Sequence, residues 1–123
     1  MKKILIVEDH ADIRKLISMT LEFEDYEIHE APDGVTGLLM AQTVQPDLIV
    51  MDVMMPGELD GLQVCKHIRS DPRLGHIPVV LLTARGQARD RETGLAAGAT
   101  QYLVKPFSPL QLIETIEQLL VGA

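Results

Sequence analysis

Short apolar runs recur along the chain, and stretches with a helical spacing of apolar residues separate them. Residues 4–7, 48–51 and 79–82 are rich in β-branched side chains and do not alternate with polar ones. Such runs are typical of strands that are buried on both faces of a parallel sheet. Residues 26–31 and 101–104 contain interleaved polar residues, which indicates strands nearer the sheet edges. The pattern therefore predicts five strands.

The stretches between the strands predict helices, because apolar residues return every three or four positions, as on one helix face. These faces contain Ile13, Leu16, Ile17, Thr20 and Leu21; Val35, Leu38 and Leu39; Leu62, Cys65 and Ile68; and Leu112, Ile113, Ile116 and Leu120. A weaker helix is predicted to end at residues 94–97, and Pro109 is predicted to open the last one. Regular alternation of strands and helices predicts a doubly wound α/β domain.

Chemically active side chains stand where four of the predicted strands end. Glu8 and Asp9 follow the first strand, Asp52 closes the third, Thr83 follows the fourth, and Lys105 follows the fifth. Ligands of doubly wound sheets bind at the carboxyl ends of the strands, and these ends share one edge. We therefore expect all five side chains to meet at one rim of the domain.

Three of these residues are acids, and their convergence needs a reason. Asp9 alone could be a helix cap, and Lys105 alone would be an ordinary surface lysine. Asp52 is harder to explain structurally, because two neighbouring acids without a nearby arginine would destabilise its charged form. Converging carboxylates suit Mg²⁺, which also accepts phosphate oxygens. Asp52 is then predicted to attack phosphorus, with Lys105 and the Thr83 hydroxyl on the other phosphoryl oxygens.

Composition narrows the possible classes of function. The 123 residues suit one domain, predicted over residues 1–123. A formal net charge of −7 disfavours direct binding to nucleic acid or to anionic membranes. Arg85, Arg89 and Arg91 are interspersed with acids, so they make no strong basic patch. The lone Cys65 fits a reducing compartment, and the absence of a long apolar segment near the start predicts a cytoplasmic protein.

Read together, the motifs resemble the receiver domain of two-component response regulators, over residues 3–120. The matching segments are ILIVED at 4–9, PDLIVMD at 46–52, Met55-Pro56, Asp60-Gly61, LTA at 82–84, Gly98-Ala99, Tyr102 and KPF at 105–107. One such motif would be weak, whereas the ordered series is specific. The resemblance implies a CheY-like, flavodoxin-like parallel sheet with strand order 2-1-3-4-5 and five helices.

The resemblance also implies a chemical role for the rim. Asp52 would accept a phosphoryl group from a sensor histidine kinase or a histidine phosphotransfer protein, with Thr83 and Lys105 assisting. Mg²⁺, with Mn²⁺ as a substitute, would be held by Glu8, Asp9, Asp52 and the backbone carbonyl of Met54. Glu8 would act through a water molecule.

A signalling output is implied as well. Thr83 and Tyr102 would form a switch pair that changes the face of the fourth helix, fifth strand and fifth helix. That face would bind a downstream protein target, or act on an output domain outside this chain. The Lys105-Pro106 peptide resembles one that the family holds in cis. The implied module phosphorylates and dephosphorylates itself and is not expected to be a multiple-turnover enzyme.

Some features depart from the commonest family pattern. The loop at residues 56–61 is one residue longer than usual. Met54 and Arg85 occupy positions that tune the lifetime of the acyl phosphate in the family, which predicts an altered lifetime. The last helix carries Glu114 and Glu117 without a basic residue, unlike regulators that dimerise through salt bridges there.

Three alternatives stay open at this point. One is a degenerate receiver that binds partners without phosphorylation. Another is a Mg²⁺-dependent aspartyl phosphatase, which usually has an acid two residues past its nucleophile, where this chain has Met54. A third is an FMN-binding protein, whose phosphate Glu8 and Asp9 would repel. Histidines 10, 29, 67 and 76 are predicted to be surface residues without a metal or catalytic role, with His10 nearest the rim.

Overall fold

The structure is a computed structural model, and it describes residues 1–83 and 96–121. Its strands are β1 (Lys3–Val7), β2 (Glu27–Ala31), β3 (Leu48–Asp52), β4 (Val79–Thr83) and β5 (Gln101–Val104). Its helices are α1 (Ala11–Glu22), α2 (Gly34–Val44), α3 (Gly61–Ser70) and a C-terminal helix (Pro109–Val121). Most of the predicted fourth helix lies outside the described residues. Ala96, near its predicted end, is described and is helical.

The five strands form one parallel sheet in the order β2-β1-β3-β4-β5. This order and the α/β architecture confirm the predicted fold class. The strands predicted to be fully buried occupy the centre, and every residue of β3 and β4 is buried. Because all five strands run in the same direction, their carboxyl ends lie along one edge.

Apolar side chains fill the space on both faces of the sheet. Alternate residues of β1 point to opposite sides, so Leu5 and Val7 join one core and Ile4 and Ile6 the other. The first core is completed by α2 and α3, and Cys65 lies buried within it. Burial raises the pKa of the Cys65 thiol, in keeping with a structural residue. The second core is completed by α1 and the C-terminal helix.

Helical spacing identified the helices better than it identified their buried faces. Leu16 on α1 is 62% exposed, and Leu39 on α2 is 58% exposed, although both lie on predicted apolar faces. Helix α2 instead buries small residues, including Gly34, Gly37 and Ala41. A Cβ at Gly37 would lie 2.8 Å from the methyl groups of Val7. The helix therefore approaches the sheet too closely for larger side chains on its inner face.

Two local features hold the loops around β3 and β4 in place. At the carboxyl edge, α3 begins with a reciprocal capping box between Asp60 and Gln63. A Cβ on the first helical residue, Gly61, would clash with the backbone carbonyl of Asp52. The start of α3 therefore packs directly against the end of β3, and the loop between them is confined.

At the opposite edge, the Arg69 guanidinium joins the ends of three elements. Its Nε donates to Gly98 O at 2.6 Å, and its Nη1 donates to Ile77 O at 2.7 Å and to Gly75 O at 3.3 Å. Its Nη2 donates to Thr100 Oγ1 at 3.1 Å. Arg69 thus ties the end of α3 to the segments that lead into β4 and β5. None of the helices in residues 1–83 and 96–121 combines the length and hydropathy needed to cross a bilayer.

Candidate functional site

Residues from β1, β3 and the segment after β5 meet at the carboxyl edge of the sheet. Asp52 ends β3, and Glu8 directly follows the neighbouring strand β1. The Lys105 Nζ lies 3.1 Å from Asp52 Oδ2 and 3.6 Å from Glu8 Oε2. The structure therefore brings together a buried acid pair and one ammonium group that are far apart in the sequence.

Glu8, Asp9 and Asp52, together with His10, form a compact group of potential metal ligands. One ligand atom from each of the four lies within 4.8 Å of the others. Glu8 is fully buried and Asp52 is 4% exposed, whereas the Asp9 side chain is 20% exposed. The N-cap of α1 is His10, so Asp9 is not the helix cap that the sequence left open.

The acids lie close enough to disturb one another. The pKa of Glu8 is raised, chiefly by burial and then by its hydrogen bond to Asp52 and the negative charge there; Lys105 and His10 oppose the shift. Within the described part of the chain, Glu8 Oε2 and Asp9 Oδ1 are buried without a hydrogen bond. Buried carboxylate oxygens that lack a hydrogen bond suit a hard divalent cation, so the donor set fits Mg²⁺.

The two carboxylate oxygens of Asp52 have different partners. The backbone N–H of Met54 donates to Oδ1 at 3.2 Å, while Lys105 contacts Oδ2. Met54 itself is 71% exposed. Because the end of β3 is confined by the close approach of Gly61, these contacts fix the carboxylate at the rim rather than leave it free to rotate.

Lys105 reaches the acids from a short segment that is anchored to β4. Its backbone N–H donates to Thr83 O at 2.8 Å, which extends the β4–β5 pairing by one residue. The Lys105-Pro106 peptide is cis, as the resemblance implies.

Thr83 and Tyr102, the predicted switch pair, lie on adjacent strands. Thr83 is 2% exposed at the end of β4, beside the strand that carries Asp52. Tyr102 is half-buried on β5 and packs against the core that contains α2 and α3. Arg85 lies outside the described residues, so the structure gives it no position.

A sequence model described as "Response regulator receiver domain" matches residues 4–117. The chain belongs to the response regulator receiver domain family. Among its relatives, the DNA-binding dual master transcriptional regulator RpaA of Synechocystis is 42% identical over 98% of this chain and 49% of its own length. The transcriptional regulatory protein ResD of Bacillus subtilis is 42% identical over 96% of this chain and 48% of its own. This receiver domain spans about half the length of these relatives.

Solved receiver structures have the same fold. A response regulator from Chloroflexus aurantiacus has a TM-score of 0.93 at 32% identity, covering 98% of both chains. The chemotaxis protein CheY4 of Vibrio cholerae has a TM-score of 0.90 at 36% identity, covering 97% of this chain and 98% of its own. The CheY-like resemblance of the sequence is thereby confirmed.

Two residues contact the acids of this receiver domain in a way that was not predicted from the sequence, although His10 was expected near the rim. The His10 Nδ1 lies 3.1 Å from Glu8 Oε1 and 3.4 Å from Asp9 Oδ1, although histidines were predicted to lack a metal role. Arg14 donates to Glu8 O at 2.8 Å and lies 3.3 Å from Glu30, whereas no arginine was expected nearby. The available signal was position, because His10 directly follows Asp9 and Arg14 lies in the first turn of α1.

Proposed function

We propose that this receiver domain accepts a phosphoryl group on Asp52 in a Mg²⁺-dependent reaction. The donor would be a phosphohistidine of a sensor histidine kinase or a phosphotransfer protein. The observation that carries the proposal is the 3.1 Å contact between Lys105 Nζ and Asp52 Oδ2 beside two further acids. A purely structural ion pair would not need the additional buried carboxylates, which destabilise one another.

Glu8, Asp9, Asp52 and the Met54 carbonyl are the groups that would hold the cation. When bound, Mg²⁺ would offset the negative charge of the acids and of the phosphoryl oxygens. Lys105 would donate a hydrogen bond to one phosphoryl oxygen, and the Thr83 hydroxyl to another. The Met54 N–H would keep its contact with Asp52 and hold the carboxylate in orientation.

The proposed transfer forms a bond between an Asp52 carboxylate oxygen and phosphorus. The phosphorus–nitrogen bond of the donor breaks, and the imidazole nitrogen keeps the electron pair. Because Asp52 attacks as an anion, no general base is required. The acyl phosphate is later hydrolysed, so the domain would act on itself and not turn over an external substrate.

The output would depend on the Thr83 and Tyr102 pair. Their positions on adjacent strands support a coupled movement in which the Thr83 hydroxyl approaches the phosphoryl group and the ring turns inward. The relatives named above are transcriptional regulators about twice as long. This supports an output domain or a downstream protein as the recipient of the signal.

A phosphatase using the same nucleophile is less well supported. Met54 is exposed two residues after Asp52 and has no proton to give a leaving group. A receiver that only binds partners would not account for the contact of Lys105 with both Asp52 and Glu8.

Intact-mass spectrometry after incubation with acetyl phosphate tests the proposal. The wild type should gain one phosphoryl group with Mg²⁺ and none with a chelator. Asp52→Asn should gain none under either condition, whereas Asp12→Asn, an exposed acid on α1, should behave as the wild type does. An adduct on Asp52→Asn, or one that forms without divalent cations, would contradict the proposed site.

A further inference from the structure

His10 stands at the rim, where its ring nitrogen Nδ1 makes a hydrogen bond with Glu8 Oε1. It is the N-cap residue of α1, yet its side chain makes no capping hydrogen bond, and the side chain is 64% exposed. His29, by contrast, pairs with Glu27 away from the rim, and His76 is exposed. Only the ring of His10 has a nitrogen directed at two of the acids among the described histidines.

The contact between His10 and Glu8 is a hydrogen bond, and the spacing of these atoms also matches that of ligands sharing one small ion. Two ligand atoms about 2.0 Å from a tetrahedral Zn²⁺ lie roughly 3.3 Å apart. The distances from His10 Nδ1 are 3.1 Å to Glu8 Oε1 and 3.4 Å to Asp9 Oδ1. Asp52 completes the group within 4.8 Å, so small side-chain rotations would bring all four to one ion.

The buried acids provide an independent indication that a cation belongs here. Glu8 is fully buried, and its Oε2 has no hydrogen bond within residues 1–83 and 96–121. The Lys105 Nζ lies 3.6 Å from Glu8 Oε2, a distance that makes an ion pair but is too long for a good hydrogen bond. Asp9 Oδ1 is likewise buried without a hydrogen bond. Both residues belong to the group that contains His10.

A nitrogen ligand changes the class of metal that such a site prefers. Carboxylate, carbonyl and water oxygens suit Mg²⁺, whereas imidazole suits Zn²⁺ and its neighbours in the transition series. We propose that His10 acts as a fourth ligand beside Glu8, Asp9 and Asp52 and gives this receiver domain a Zn²⁺ site that competes with Mg²⁺. Four protein ligands close a tetrahedral site. Zn²⁺ would then occupy Asp52 and leave no position for a phosphoryl oxygen, an inhibitory consequence that rests on the function proposed above.

Zn²⁺ affinity measured against a chromophoric chelator tests the role of His10. Loss of a direct ligand should cost at least as much as loss of an outer-shell partner, roughly 10- to 100-fold. His10→Ala should therefore weaken Zn²⁺ binding by at least about tenfold, yet change Mg²⁺ affinity, measured by calorimetry, by less than about twofold. The exposed control His76→Ala should match the wild type for both metals.

Two further variants separate metal ligation from simple orientation of Glu8. His10→Gln keeps a hydrogen-bond donor but is a poor Zn²⁺ ligand, so it should resemble His10→Ala. His10→Cys supplies a thiolate and should restore Zn²⁺ binding. With Co²⁺ as the probe, His10→Cys should also show a sulfur-to-cobalt charge-transfer band that the wild type lacks. Wild-type Zn²⁺ affinity in His10→Ala, or full retention in His10→Gln, would overturn the proposal.

Phosphorylation by acetyl phosphate is measured separately in the same proteins. Zn²⁺ should suppress the Mg²⁺-dependent adduct in the wild type and do so much less in His10→Ala. If the wild type binds Zn²⁺ through His10 but forms no adduct with Mg²⁺, the proposed function fails and the Zn²⁺ site stands. If the adduct forms but Zn²⁺ affinity does not depend on His10, only the Zn²⁺ site fails.

Discussion

Replacing Arg69 with alanine should destabilise the domain far more than replacing an exposed arginine. The guanidinium donates to three backbone carbonyls and one hydroxyl, two of these bonds being 2.6 and 2.7 Å long. Hydrogen bonds from a charged group contribute about 1.5–3 kcal/mol each when well formed, and less where water can replace the donor. Because Arg69 is only half-buried, we expect Arg69→Ala to lower the free energy of unfolding by roughly 2–4 kcal/mol in total.

Urea denaturation followed by far-ultraviolet circular dichroism measures this loss. A decrease of that size corresponds to a fall of roughly 10 °C in the melting temperature of a domain this long. The matched control is Arg73→Ala, because Arg73 is 64% exposed and its recorded partner, Asp71, lies 3.5 Å away. That pair should contribute less than about 1 kcal/mol. Equal midpoints for the two variants would refute the view that Arg69 joins α3 to the starts of β4 and β5.

Three other predictions concern the rim. Gly61→Ala should lower the free energy of unfolding by about 1–3 kcal/mol, because the added Cβ would clash with the Asp52 carbonyl. The same variant should form the phosphoryl adduct more slowly. Wild-type stability of the variant would contradict the close approach of Gly61 to the end of β3. Burial and Asp52 raise the pKa of Glu8, so ionising Glu8 disfavours the folded state as pH rises through that pKa. In metal-free buffer, the stability of Glu8→Gln relative to the wild type should rise between pH 4 and 8. A stability difference that shrinks over this range would contradict the raised pKa of Glu8. Mg²⁺ should raise the wild-type melting temperature, but not that of Asp52→Asn; an equal rise in both would place the cation elsewhere.

The central strands could be predicted from sequence because burial on both faces leaves continuous apolar runs. The edge strand β2 was predicted one residue too long, at Tyr26, and it begins at Glu27. Helix α2 was found from Val35, Leu38 and Leu39, yet its closest contacts with the sheet come from glycines. A spacing pattern records which residues are apolar. It does not record how closely two backbones approach, so the buried glycines of α2 were missed, whereas Leu38 does pack against the core.

The rim, too, could be predicted only in part from the sequence. Glu8, Asp9, Asp52 and Lys105 could be placed together because topology brings the ends of parallel strands to one edge, although their chemical roles remain predictions. The contacts of His10 and Arg14 were not predicted, since they depend on how α1 leaves the rim, although His10 itself was expected there. The role of Arg69 was also not predicted. Its partners are mainly backbone carbonyls 6 to 29 residues away, and because every residue has a carbonyl, the sequence does not indicate which ones it contacts.

The rim is assembled from residues that lie far apart in the sequence, and this has a consequence for synthesis. Lys105 contacts Asp52 across 53 positions of sequence, and it is held there by pairing between β4 and β5. A growing polypeptide emerges from the ribosome amino end first. The acids are therefore made well before the lysine that faces them. If Lys105 assists phosphoryl transfer as proposed, a nascent receiver would not accept a phosphoryl group until β5 has docked.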